Sequence, residues 1–168
     1  SIRLLDRGEL DGMVEHAFSW LLGYRGEGPF EEQPLDDTSI LPSQCFSTAL
    51  YDMYWIAREG TDIESTSDLV DTDANVYLLD PEWGLHQLWR QMLSNVDHGD
   101  GTLLEHLQER YVAVSMGDYA GALEEGRIDA GLVMSASNRG LPSYTQEIDA
   151  RADIKAIEVN GKIREAME

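Results

Sequence analysis

The residues best able to do chemistry in this chain stand at the ends of short apolar runs. The run ANVYLL stops at Asp80 and is followed by Pro81, Glu82, Trp83 and Gly84. A carboxylate, an indole and a glycine at a strand-to-helix turn suit a ligand-facing site, because open α/β sheets bind ligands beyond the carboxyl ends of their strands. The same residues suit an ordinary helix start, with Asp80 as the cap and Pro81 in the first turn, and the two roles are compatible. The run IDAGLVM is followed by Ser135, Ser137 and Asn138. Their hydroxyl and amide groups would lie beside the free N–H groups of a following helix, a setting that accepts an anion or a polar ligand. Simple capping competes for the same groups. Ser115 closes the run VAVSM and reaches the same edge if the strands are parallel. Asp80, Trp83, Gly84, Ser115, Ser135, Ser137 and Asn138 are therefore the candidate ligand-binding residues.

Other chemistries find less support. His16, His86, His98 and His106 lack the spacing of a metal site, and the single cysteine, Cys45, supplies no second thiol. No metal or cofactor is expected. Cys45 has Ser43, Gln44 and Phe46 as neighbours and no nearby positive charge to favour a thiolate. A cysteine-nucleophile enzyme using Cys45 with His86 or His98 is thus the weaker reading, and no catalytic residue is assigned. The tryptophans and tyrosines read as core.

The elements that must position these residues follow from periodicity and breakers. Helices are expected over 1–7, 17–24, 63–70, 82–96, 103–111 and 119–125. Strands are expected over 10–16, 48–58, 74–79, 112–116, 128–134 and 153–159. Residues 28–43 read as a loop and Asn160-Gly161 as a turn. Leu85, Leu88, Trp89, Met92 and Leu93 make one helical face. The segments LLDRGELDGMV and ALEEGRIDAGLV repeat one helix–Gly–strand pattern, which suggests two related lobes. Strands alternating with helices predict an α/β fold with a mostly parallel sheet and flanking helices.

Charge bounds the partners. The chain has 168 residues, 12 basic against 32 acidic, and a net charge of -20. Such a surface repels nucleic-acid phosphates and anionic membranes. Its only lysines are Lys155 and Lys162, a balance that suits a high-salt source, where screening removes self-repulsion. No run of about 18 apolar residues is present.

Taken in order, IESTSDLVD, LLDPEWG, the helix after it, VAVSM, ALEEGRIDAGLVMSAS and GLP resemble the second lobe of a type II periplasmic (solute)-binding protein. The nearest kinds are the molybdate/tungstate-binding proteins and the related ligand-binding domains of regulators. The resemblance implies a two-lobed fold, incomplete at both ends. Residues 1–60 would be a remnant of the first lobe with the crossover, 61–150 the second α/β lobe and 151–168 the return segment. It also implies binding of a small polar or anionic ligand, such as molybdate or tungstate, without covalent chemistry. In transport the partner would be an ABC permease and the location extracellular or at the cell surface. In a regulator the domain would be a cytoplasmic ligand sensor. An acidic partner-binding domain without a small-molecule site is the remaining alternative.

Overall fold

The computed structural model describes residues 2–13, 17–35, 51–80, 84–136, 143–159 and 161–167. The chain forms two compact units, one of residues 1–48 with 81–88, the other of residues 49–80 with 89–168.

In the first unit, helices α1 (Ile2–Asp6) and α2 (Ala17–Arg25) contribute to a core of Ile2, Leu22, Phe30 and Leu35, against which Met13 and Trp20 pack. Arg3 lies over the Phe30 ring, 5.0 Å from its centroid, and donates to the carbonyls of Pro29 and Gln33. A single guanidinium thereby pins the 3-10 turn Gly28–Phe30 to α1. Of the strand expected over 10–16, residues 10–13 are irregular and the rest lie outside the described residues.

The second unit holds the sheet: β1 (Tyr51–Arg58), β2 (Val76–Tyr77), β5 (Ala130–Ala136) and β6 (Ile154–Ala156), in the order β2-β5-β1-β6. The fold is mixed α/β, but the expected mostly parallel sheet is corrected. Only β2 and β5 run parallel, while β1 is antiparallel to both β5 and β6. The physical reason is that a continuous apolar run reports burial on both faces, not strand direction. Both faces are indeed covered. On one, Trp89 of α4 (Gly84–Ser94) meets Trp55 edge-on at 5.7 Å and donates to the Met53 sulfur at 3.2 Å. On the other, Tyr119, which opens α6 (Tyr119–Glu124), lies over Gly131. Helix α7 (Ser143–Arg151) is tied to β5 through Met134, whose N–H donates to the Tyr144 hydroxyl and whose carbonyl accepts from Thr145.

Local chemistry moved several boundaries. Helix α3 (Asp68–Asp71) starts later than expected, because Asp68 accepts the N–H groups of Glu64 and Ser65, and Ser65 bridges to Glu158. A hairpin, β3 (Asp97–His98) and β4 (Gly101–Thr102), stands between the helices expected over 82–96 and 103–111. It leads into α5 (Leu103–Gln108) through a Thr102–Glu105 capping box. The strand expected over 112–116 is replaced by an isolated parallel bridge of Tyr111 with Val76, ahead of the 3-10 turn Met116–Asp118. Gly161–Met167 forms a helix, α8, that was not expected.

The two similar segments share a helix stop. Gly8 and Gly126 take φ of 68° and 70°. In each case the next N–H reaches five residues back, Glu9 to Leu4 and Arg127 to Ala122, closing the same C-terminal motif. The two segments thus share a left-handed glycine that closes a helix.

Two outcomes follow. Gly131 has no room for a side chain: a Cβ would overlap the Tyr119 hydroxyl and stand 2.8 Å from the Tyr77 carbonyl oxygen. Gly131→Ala should cost about 2–4 kcal/mol in denaturant unfolding. The Asp68 carboxyl is held below its ordinary value of 3.8 by hydrogen bonds from the N–H of Glu64, the N–H of Ser65 and the Ser65 hydroxyl. A depressed folded value means stability that is full at neutral pH and lost as pH falls below 3.8 through the folded value. Asp68→Asn should therefore lower the melting temperature at pH 7 and narrow the gap to wild type in that acidic window.

Candidate functional site

Two of three parallel segments, residues 111–112 and β2, end at one edge of the second unit beside the start of β5. Residues 111–112, β2 and β5 run side by side, joined by Val76 N–H to Arg110, Val112 N–H to Val76, and the β2–β5 ladder. Asp80 and Ser115 both follow the carboxyl ends of their segments, as expected. Asp80 is half-buried. Ser115 is exposed and occupied locally: its hydroxyl donates to the Asp118 carboxylate at 2.7 Å and accepts the Asp118 N–H. Ser135 lies inside β5 opposite Asp52, so it is a strand residue rather than the start of a helix. Gly84 is the first residue of α4, in the first unit. Trp83, Ser137 and Asn138 lie outside the described residues, as do His16 and Cys45.

What gathers at this edge is a set of tyrosines that periodicity assigned to the core. Tyr77 and Tyr119 are fully buried, their rings 4.3 Å apart and tilted by 45°. Neither hydroxyl finds a hydrogen-bond partner. Trp55 Nε1 and Arg58 Nε are the other buried polar atoms in this state among the described residues. Tyr111 and Tyr144 are half-buried, and the Tyr111 hydroxyl donates to the Leu79 carbonyl at 3.0 Å.

The backbone is strained at the same place. Leu79 has φ of 70°, the one non-glycine among the described residues in the left-handed region. A branched side chain there costs of order 1–3 kcal/mol, and such residues concentrate at ligand clamps. The turn ends β2 after Tyr77 and brings Asp80 beside the tyrosines.

Electrostatics keep these phenols protonated. Burial, then Tyr111, Asp80 and Tyr144, push the Tyr77 hydroxyl well above its ordinary range. Burial and the Asp80 carboxylate raise Tyr111 to about 12, against a smaller opposing pull from Arg90. Burial drives Tyr119 up as well. Protonated hydroxyls donate hydrogen bonds and do not act as bases.

Histidine chemistry is not assembled alongside. His98 and His106 meet edge-on at 5.4 Å, and His106 Nε2 lies 3.0 Å from the His98 carbonyl oxygen. Among the described residues no three His, Cys, Asp or Glu side chains gather to hold a metal ion, and no helix is long and apolar enough to cross a membrane. No protein-family model and no curated protein matches the chain.

The tyrosines escaped the sequence reading because Tyr77, Tyr111, Tyr119 and Tyr144 come from four separate segments. The available signal was position: Tyr77 is the last strand residue before LLD, and Tyr119 and Tyr144 open helices. An unpartnered buried hydroxyl is a liability that phenylalanine removes. Tyr119→Phe should therefore raise the ligand-free protein's stability by about 1 kcal/mol in chemical unfolding. A loss of that size instead would mean that the hydroxyl is hydrogen-bonded in solution.

Proposed function

We propose that this chain is a small-molecule-binding domain of the type II solute-binding-protein kind, which takes a small polar ligand without covalent chemistry. The observation that carries the reading is the pair of buried, unpartnered Tyr77 and Tyr119 hydroxyls beside the strained Leu79–Asp80 turn. Buried donors left unpaired cost about 1–3 kcal/mol each and persist where something else is served by them. Tyr77 ends β2 beside Gly131 at the start of β5, and the Leu79–Asp80 turn follows the carboxyl end of β2, the side of a strand on which α/β sheets take ligands. The division into two compact units supports the same kind of architecture.

In a transport setting the domain delivers its ligand to an ABC permease outside the membrane; in a regulator it senses the ligand in the cytoplasm. An acidic surface of net charge -20 supports a high-salt environment and disfavours direct contact with nucleic acid. A thermal-shift screen at molar salt tests the reading, with molybdate, tungstate, sulfate, phosphate, organic acids and amino acids as ligands. A ligand at about 100 times its dissociation constant should add about 2.7 kcal/mol. Asp80→Ala should remove the shift while the variant still melts cooperatively. A folded protein that responds to none of them would point instead to an acidic partner-binding domain.

A further inference from the structure

Sulfur and indole groups gather on the face of β1 that α4 covers. Side chains alternate along a strand, so Met53 and Trp55 point the same way. Met134 and Leu132, their partners across the ladder on β5, stand beside them. Trp89 reaches both β1 residues: its Nε1–H donates to the Met53 sulfur at 3.2 Å, and its ring meets Trp55 edge-on. The Trp55 Nε1–H is buried and finds no acceptor. Two indole donors thus share this face with a thioether, which accepts hydrogen bonds only weakly. The paired methionines differ in exposure. Met134 is 4% exposed, while Met53 is half-buried and within reach of solvent.

We propose that Met53 is a site of reversible oxidation by a hydroperoxide, with Trp89 fixing which side of the sulfur reacts and then holding the sulfoxide. The sulfur has two lone pairs. The Trp89 N–H occupies one, so the other attacks the peroxide oxygen. An S–O bond forms as the O–O bond breaks, and the departing hydroxide takes the proton from the new oxygen and leaves as water. Sulfur loses two electrons and the peroxide gains them. Reaction at one lone pair yields one sulfoxide epimer, which a methionine sulfoxide reductase of matching handedness returns to the thioether. In a closed core the added oxygen would be a polar group without a partner. At Met53 an indole donor is already in place, and the unbranched side chain, with three rotatable bonds, can turn the oxygen toward it.

Peptide mass spectrometry of the folded chain after brief exposure to hydrogen peroxide at molar potassium chloride tests this. Met53 should oxidise about tenfold faster than Met134. After digestion, one of the two epimer-specific reductases should remove most of the Met53 sulfoxide and the other little of it. Chain oxidised in urea should give the two epimers in near-equal amounts. Trp89→Phe should bring the folded chain to the same even mixture, and if that variant does not fold, the comparison of folded with urea-unfolded wild type decides. Met53→Gln, whose amide oxygen stands in for the sulfoxide, should melt within about 2 °C of wild type, while Met134→Gln should melt about 5 °C lower or more. Even epimers from the folded wild type would overturn the proposal, as would Met134 oxidising as fast as Met53. An epimer bias that survives in folded Trp89→Phe would remove Trp89 from it. Met53→Gln melting as low as Met134→Gln would overturn it by showing that the added oxygen is not held.

Discussion

The second unit hangs on Asp129. Its carboxylate accepts the Asn75 N–H at 3.0 Å through one oxygen and the Arg58 guanidinium at 2.9 Å through the other. Its backbone N–H donates to the Asn75 carbonyl at 2.8 Å, and its own carbonyl accepts the Arg58 N–H at 2.8 Å. One residue thus joins the entry to β2, the entry to β5 and the exit of β1. The ion pair is half-buried, with side-chain exposures of 35% and 21%, so its hydrogen bonds matter more than the Coulomb attraction of an exposed pair would. Because side chains alternate along a strand, fixing this end fixes every residue beyond it. Gly131 then faces Tyr77 and Tyr119, and Leu132 lies opposite Trp55. A slip of one residue would drive a leucine into the space only glycine fits.

That clamp divides the sheet into two ends with different character. At the Asp129 end both oxygens of the aspartate accept hydrogen bonds from within the fold, and Gly126, with φ of 70°, lets the chain reverse directly out of α6. The Arg58 guanidinium lies so close to Gly126 that a Cβ there would stand 3.4 Å from it. Past the short β2 the chain leaves a branched residue in a left-handed conformation, and two phenols over Gly131 stay without partners. Stability held at the Asp129 clamp is what allows strain and unpaired donors to persist a few residues away. The buried Trp55–Trp89 pair on the far face adds to that reserve.

How much of this was readable depended on distance along the chain. Helix stops were legible, since a glycine at the left-handed position is a local requirement, and Gly8 and Gly126 meet it. The buried run 128–134 was legible because Ile128, Leu132, Val133 and Met134 are apolar for the same reason they are inside. Leu85, Trp89 and Leu93 did bury on one helical face, with Leu88 and Met92 half-buried beside them. Strand direction was not legible, since pairing β1 against β5 depends on partners far apart in the chain. Nor was the extent of β2, which Leu79 cuts short by a backbone angle that leucine gives no hint of. The position of Asp80 after an apolar run was legible in the sequence, whereas the phenols required the fold to bring them together. Ser115 shows the converse: its position was right and its hydroxyl serves its own turn.

Charge acts on this molecule at two ranges, and salt separates them. The 12 basic residues face 32 acidic ones, and several of the ion pairs they form are largely exposed, such as Arg7 with Glu9, Arg127 with Glu125 and Arg151 with Glu124 and Glu147. Exposed pairs are worth about 0.2–1 kcal/mol each, too little to offset an excess of this size unless ions screen it. At molar salt the Debye length falls to about 3 Å, so repulsion across the surface fades. Charges a few ångströms apart and shielded from solvent are screened much less. The influence of Asp80 on Tyr77 and Tyr111 is of that second kind, since the hydroxyls it acts on are buried or half-buried. The net charge therefore governs how the chain tolerates its solvent, while a single carboxylate acts at short range on phenols that solvent ions screen poorly.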